Sequence, residues 1–285
     1  MKIASPLRYP GGKAAISDIL RQIRKLNRLG GLSIAEPFAG GAGASLTMLY
    51  LEETQKIYIN DADPAIHSFW WCIVKRPDPF IRMIDETCLT LNEWYRQRDI
   101  YRNSGRLSKL KRGYSAFYLN RCNRSGIIVN GGPIGGIEQK GKWKIDARFN
   151  KKALRQRCER IVEYRERIQV SCQDGIKFIK NLEDKPIFFF VDPPYYHKGN
   201  TLYLNALDKN YHMSLSVQLK SMSDKPWVLT YDDCPEIRQM YQGWATIRPF
   251  SLRYVASKKR SGKEILIVPN WMNLPETQDS ALVGW

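Results

Sequence analysis

The chain has 285 residues, 43% hydrophobic and 12% aromatic, enough for one large α/β domain with a sizeable insertion or for two modest domains. Its formal charge of +17 points to a polyanionic partner, nucleic acid or a membrane surface. The apolar runs are far too short to cross a bilayer, and the N-terminal MKIASPLRYPGGK lacks the apolar core of a signal peptide, so the expectation is a cytoplasmic protein with no membrane partner.

Six cysteines (Cys72, Cys88, Cys122, Cys158, Cys172, Cys234) show no CxxC spacing and only three histidines occur, which argues for reduced thiols and against a metal site. The charge is localised. Between Lys75 and Val170 stand 23 basic against 10 acidic residues, so 13 of the 17 net charges fall in this stretch. Aromatic residues (Trp94, Tyr95, Tyr101, Tyr114, Phe117, Tyr118, Trp143) are interleaved with them. A solvated basic face would look similar, but a nucleic-acid groove accounts better for the mixture of charge and rings.

In chain order, Ala14 to Leu29 carries a helical stripe of Ile16, Ile19, Leu20, Ile23 and Leu26. Leu32 to Pro37 reads as a short strand, followed by the glycine-rich turn Glu36-Pro37-Phe38-Ala39-Gly40-Gly41-Ala42-Gly43 and a helix from about Ala44 to Glu52. A strand over Lys56 to Asn60 ends at Asp61. From about Lys75 long polar helices take over, then a glycine-rich, hairpin-like stretch from Asn120 to Lys144. We read residues 76–147 as an insertion, with 1–75 and 148–285 forming the core. Lys151 to Arg167 is a basic helix leading back to strands at Gln169 to Cys172, Ile187 to Val191 and Trp227 to Thr230. Ser251 to Val255 and Glu264 to Pro269 are expected to form a closing antiparallel hairpin around the basic loop 256–263.

The chemistry concentrates at the end of the run KPIFFFV. Seven residues of strand buried on both faces meet Asp192-Pro193-Pro194-Tyr195, and two prolines cannot continue a central strand. A carboxylate, a proline carbonyl and an aromatic ring therefore come to the carboxyl edge of a parallel sheet, where open α/β sheets bind ligands. Such a set suits an exocyclic amino group on a flat ring, although the tetrapeptide alone is also compatible with a chance turn. The glycine turn opening a helix can seat a ligand on backbone N–H groups, or can be only a tight β–α turn. Asp61 follows Gly40 by 21 residues, the spacing at which Rossmann-like folds place an acid on ribose hydroxyls, with helix capping as the alternative. Tyr9-Pro10-Gly11-Gly12-Lys13 is a second constrained loop before a helix. Its alternatives are a simple turn, or a site where Lys13 meets an acid and Tyr9 a flat ring.

In this order (YPGGK, EPFAGGAG, the acid at Asp61, FYLNR over Phe117 to Arg121, and DPPY) the motifs resemble those of the Dam-like, D12-class N6-adenine DNA methyltransferases. The resemblance spans roughly residues 5–270. It implies a Rossmann-like, S-adenosylmethionine-dependent methyltransferase sheet with an inserted, mostly helical target-recognition domain. It implies Asp192, Pro193, Pro194 and Tyr195 as the catalytic run around an adenine flipped out of duplex DNA. It implies Tyr9, Lys13, Phe38, Gly40, Gly41, Asp61 and Asp192 around the cofactor. Arg121, Asn123, Arg124, Lys140 and Lys142 are the expected DNA contacts, Arg and Asn suiting base edges and Lys suiting phosphates. Phosphate contact or a structural turn remains open for the first three. Asp174 either borders the pocket or caps a helix. A cognate restriction endonuclease, a monomer or weak dimer, and nucleoid association through DNA are the accompanying expectations. Competing readings are a catalytically silent DNA binder and an amino-methyltransferase acting on RNA adenine or cytosine N4. Where relatives carry Ser-Asn after the next strand, this chain has Thr230-Tyr231-Asp232-Asp233.

Overall fold

The structure is a computed structural model that describes residues 4–8, 13–103, 105, 107–196, 207–251 and 263–276. Seven strands, β1 (Ser33–Glu36), β2 (Ile57–Asn60), β3 (Ile168–Ser171), β4 (Ile187–Val191), β5 (Trp227–Asp232), β6 (Ala245–Ser251) and β7 (Lys263–Pro269), form one sheet in the order β3-β2-β1-β4-β5-β7-β6. The first five in that order are parallel, and β7 pairs antiparallel with both β5 and β6. The chain winds outward from β1 to β3, then returns to lay β4 on the other side of β1. The crevice at that switch point, outside the carboxyl ends of β1 and β4, is where a doubly wound sheet takes its ligand. This is the doubly wound, Rossmann-like sheet expected from the sequence.

The FFF run of β4 shows why the sheet is buried on both faces. Side chains alternate across a strand, so Phe188 and Phe190 enter one apolar cluster while Ile187, Phe189 and Val191 enter the other. Each ring is at most 1% exposed and contributes about 2 kcal/mol of apolar burial. The first face is covered by α1 (Lys13–Leu26), α2 (Gly43–Tyr50), α3 (Pro64–Lys75) and α7 (Lys151–Glu163), and the second by α8 (Gly175–Lys180), α9 (Lys209–Ser221) and α10 (Pro235–Tyr241).

Between α3 and α7 lie α4 (Pro77–Glu86), α5 (Leu91–Arg102) and α6 (Lys109–Cys122), within the stretch read as an insertion. These helices share the core of the first face. Phe117 of α6 stacks parallel on Phe69 of α3 at 5.7 Å, and Phe80 of α4 meets both rings edge-on. The two helices approach so closely at Gly113 that a Cβ there would lie 2.5 Å from the Phe69 backbone nitrogen.

Two local expectations need correction. The Asn120 to Lys144 stretch forms no hairpin of strands: α6 runs on to Cys122, and a single antiparallel bridge joins Asn123 to Pro133. Glycines and Pro133 give the backbone turns there rather than a ladder. The penultimate strand is β6 at 245–251, earlier than expected, because its run ATIRPFS pairs in full register with β7. Residues 252–255 and the basic loop to Gly262 lie outside the described residues. No helix among the described residues is long and apolar enough to cross a membrane.

Candidate active site

The glycine turn is built by contacts from three neighbouring strand ends. Gly40 (φ 48°) and Ala42 (φ 46°) both adopt the left-handed conformation, which costs an alanine about 1 kcal/mol. The turn is held against that cost. Asp61 Oδ2 accepts the Gly40 N–H at 2.9 Å, and Trp70 of α3 donates its indole N–H to the Gly40 carbonyl at 2.8 Å. Buried Asn60 donates to the carbonyls of Pro37 and Gln173, both at 2.9 Å, while its Oδ1 takes Ser171 Oγ and the Gln173 N–H. One amide thereby ties the loops after β1, β2 and β3 together. Glu36, 1% exposed, accepts the Ser45 N–H at 2.8 Å and caps α2 from the strand before it, since Ala42 has no side chain to do so.

Asp61 stands at the tip of β2, half-buried, with its other oxygen taking the Asp63 N–H at 2.9 Å. Each carboxylate oxygen can accept more than one hydrogen bond, so ribose hydroxyls can join the two N–H groups. Phe38 lies with its ring against Gly175, where a Cβ would come within 2.4 Å of Cζ, and edge-on to Tyr211 at 6.4 Å. Asp174 caps α8 through the Lys177 N–H at 3.0 Å, and burial together with Asp174 raises the Tyr211 phenol pKa. An open backbone turn, a carboxylate and an aromatic wall thus line the sheet edge. That donor and acceptor set fits the ribose and base of an adenosine cofactor. Gly41 completes the turn. Lys13 begins α1, with its side chain outside the described residues, as is Tyr9 altogether.

The DPPY run leaves the sheet at Asp192, as two prolines require. Pro193 is buried, and Asp192, Pro194 and Tyr195 are half-buried. Register explains what holds it. Val191 pairs with Leu229, so Thr230 comes beside Asp192 and donates its hydroxyl to Oδ1 at 2.7 Å. The Tyr196 N–H donates to Asp232 at 3.0 Å. The Tyr195 hydroxyl donates to Glu264 of β7 at 2.7 Å, and that carboxylate is 5% exposed. Asp232 and Glu264 are themselves partners across β5 and β7. The residues that looked like a departure from the family pattern therefore brace the run. Behind them Tyr231 shares a 2.6 Å hydrogen bond with buried His212, whose ring packs on Tyr196. Burial holds His212 below the ordinary histidine pKa.

Two of the expected DNA contacts turn inward. Arg121, 9% exposed, spends its guanidinium on the carbonyls of Arg148 and Pro6, and burial lowers its pKa to about 9. Asn123, 1% exposed, accepts the Trp94 indole N–H at 2.7 Å and donates to the Ile127 carbonyl. Neither side chain is presented to a base edge. Asn120 of FYLNR, to which the sequence assigned no role, clamps Arg8 through both its N–H (2.6 Å) and its carbonyl (2.7 Å). Thus FYLNR secures the segment just before YPGGK. Arg124, Lys140 and Lys142 are exposed, Lys140 paired with Glu138 at 2.7 Å and Lys142 beside the exposed Trp143. The support residues Thr230, Glu264, Trp70 and Asn60 carried no motif, and only strand register brings the first two to the site.

Comparison with curated proteins gives no match. Among solved structures, the rRNA methyltransferase aviRa from Streptomyces viridochromogenes is 13% identical over 91% of this chain and 86% of that one, with a TM-score of 0.38, too distant to carry any inference. A family profile described as D12 class N6 adenine-specific DNA methyltransferase matches residues 9–259. With that match over most of its length, and with the glycine turn and DPPY run at one sheet edge, the chain belongs to the D12 class of N6 adenine-specific DNA methyltransferases.

Proposed function

We propose that the crevice between β1 and β4 seats S-adenosylmethionine against an adenine extruded from duplex DNA, with Asp192 and Pro193 holding the N6 amino group. When bound, S-adenosylmethionine supplies an electrophilic sulfonium methyl and takes the electron pair of the breaking C–S bond. Asp61 accepts hydrogen bonds from the ribose hydroxyls, Phe38 walls the base, and the backbone of Gly40 and Gly41 admits the cofactor close to the turn. At the other end, the Asp192 carboxylate and the Pro193 carbonyl accept the two amino hydrogens, which aims the N6 lone pair at the methyl carbon. Tyr195 stacks on the extruded ring while its hydroxyl stays on Glu264. The N6 proton leaves only after the N–C bond has formed, so Asp192 acts as a positioning acceptor before it could serve as a base.

The observation that carries this reading is the Thr230 hydroxyl on Asp192 Oδ1, which fixes one face of the carboxylate at the sheet edge. Methyl transfer to matched duplex DNA, single-stranded DNA and RNA tests it, with Asp192→Ala alongside. Duplex DNA should be the preferred substrate, and the variant should fold and bind S-adenosylmethionine yet transfer no methyl group. Near-normal turnover by Asp192→Ala would remove the assignment.

A further inference from the structure

One strand grips the DPPY run from both of its faces. Thr230 and Asp232 of β5 hold Asp192 Oδ1 and the Tyr196 N–H directly. Side chains alternate along a strand, so Tyr231 between them enters the opposite cluster, where α9 packs. There its hydroxyl meets His212 Nδ1 at 2.6 Å, and the two rings lie edge to face at 5.5 Å. The imidazole in turn lies 5.1 Å from the ring of Tyr196, the residue that follows DPPY. His212 is 1% exposed and Tyr231 fully buried, so water cannot replace either partner. The Tyr231 hydroxyl has no other partner among the described residues, and burial holds its pKa well above the ordinary tyrosine value. It therefore keeps its hydrogen and donates it to Nδ1, which leaves the imidazole neutral with its own proton on Nε2. The backbone of His212 is fixed as well. At the start of α9 the Asp208 side chain accepts the Tyr211 N–H at 2.8 Å, and the Asp208 carbonyl accepts the His212 N–H at 3.2 Å. An aromatic contact alone leaves two rings free to slide, whereas a ring locked by a buried hydrogen bond sets the angle of its neighbour. No motif marks His212 for this place.

We propose that His212 is a positioning residue for methyl transfer: held at Nδ1 by Tyr231, its ring fixes Tyr196 and so aims the Tyr195 ring and the Pro193 carbonyl at the extruded adenine. This deepens the adenine-N6 reading of the DPPY run and rests on it. The lever is short. Tyr195 is tethered at its far end, hydroxyl to Glu264, so a shift of Tyr196 tilts the Tyr195 ring about that tether. His212 acts through Tyr196 and touches neither the adenine nor the cofactor.

The test is single-turnover methyl transfer to duplex DNA at saturating S-adenosylmethionine, with Tyr231→Phe, His212→Phe and the double variant His212→Phe/Tyr231→Phe. Each single variant strips one partner from the buried pair, while the double variant replaces both by apolar rings of similar outline and so regains stability. All three should transfer the methyl group about 5- to 10-fold more slowly than wild type, the rate equivalent of one neutral hydrogen bond, with S-adenosylmethionine affinity unchanged. In the double variant the melting temperature should return while the rate stays low. A rate that recovers together with the melting temperature overturns the proposal and makes the pair core packing only. Tyr196→Leu tests the route: Tyr196→Leu/Tyr231→Phe should be no slower than Tyr196→Leu alone, and losses that multiply overturn the proposal. Tyr231→Phe removes a single oxygen, so it keeps the test readable even where His212→Phe does not fold. Transfer by Tyr231→Phe within about twofold of wild type overturns the proposal and leaves the DPPY reading intact. A wild type that transfers no methyl group to duplex DNA would instead remove that reading itself.

Discussion

Replacing Thr230 by valine keeps the shape of a buried β5 side chain and deletes one hydroxyl, the group that donates to Asp192 Oδ1 at 2.7 Å. The backbone pairing of Thr230 with Leu266 does not depend on that hydroxyl, so the strand stays in place. A hydrogen bond to a charged acceptor is worth about 1.5–3 kcal/mol. If that energy fixes the carboxylate for the N6 amino group, its loss raises the barrier by a similar amount, roughly 10- to 100-fold in rate at about 1.4 kcal/mol per decade. Single-turnover transfer of labelled methyl to unmethylated duplex DNA reads the chemical step directly. Thr230→Val should slow that step by one to two decades with little change in S-adenosylmethionine affinity or melting temperature, and Thr230→Ser should recover most of the rate. Single-turnover rates within about twofold of wild type in Thr230→Val would refute the positioning role, since ~0.4 kcal/mol is less than any hydrogen bond to a carboxylate.

Gly175→Ala should push the Phe38 ring aside, because its Cβ would lie 2.4 Å from Cζ; titration calorimetry should show S-adenosylmethionine binding weakened about tenfold, ~1.4 kcal/mol, with the melting temperature held. Asn120→Ala strands the Arg8 N–H and carbonyl and should cost on the order of 3 kcal/mol, read as a lower denaturation midpoint in urea. Burial lowers the His212 pKa, with a backbone hydrogen bond at Leu207 and the charges of Asp232 and Asp208 acting the other way. Below the ordinary histidine value of 6.5 the unfolded chain takes up a proton that the folded one resists. Stability is therefore full above that pH and falls as pH drops through it toward the lower folded value. Urea midpoints measured against pH should show this decline, and His212→Gln should flatten it without abolishing it, because His67 is also held low by burial.

What could be read from the sequence was whatever the chain encodes locally. The apolar run before Asp192, the two prolines and the glycine turn each force a backbone event within a few residues, and the spacing from Gly40 to Asp61 follows from one β–α–β unit. Contacts set by distant pairing were not legible. Thr230 reaches Asp192 only because β4 and β5 pair in a particular register, and Glu264 reaches Tyr195 only because β7 runs antiparallel beside β5. Arg121 and Asn123 were misplaced for a related reason. Residue type alone favours base edges, but α6 packs so deeply on α3 that its last turn is interior, and both side chains satisfy buried carbonyls or an indole N–H there. Arg96 and Arg102 of α5 and Arg124 of the loop, by contrast, stay exposed.

The most direct test of site-specific adenine methylation is long-read sequencing of plasmid DNA from cells that lack adenine methylation and express this chain, beside the Asp192→Ala variant. The account predicts N6-methyladenine at one defined sequence with the wild type and none with the variant. Unmodified adenine throughout, from a folded protein that binds S-adenosylmethionine, would contradict it.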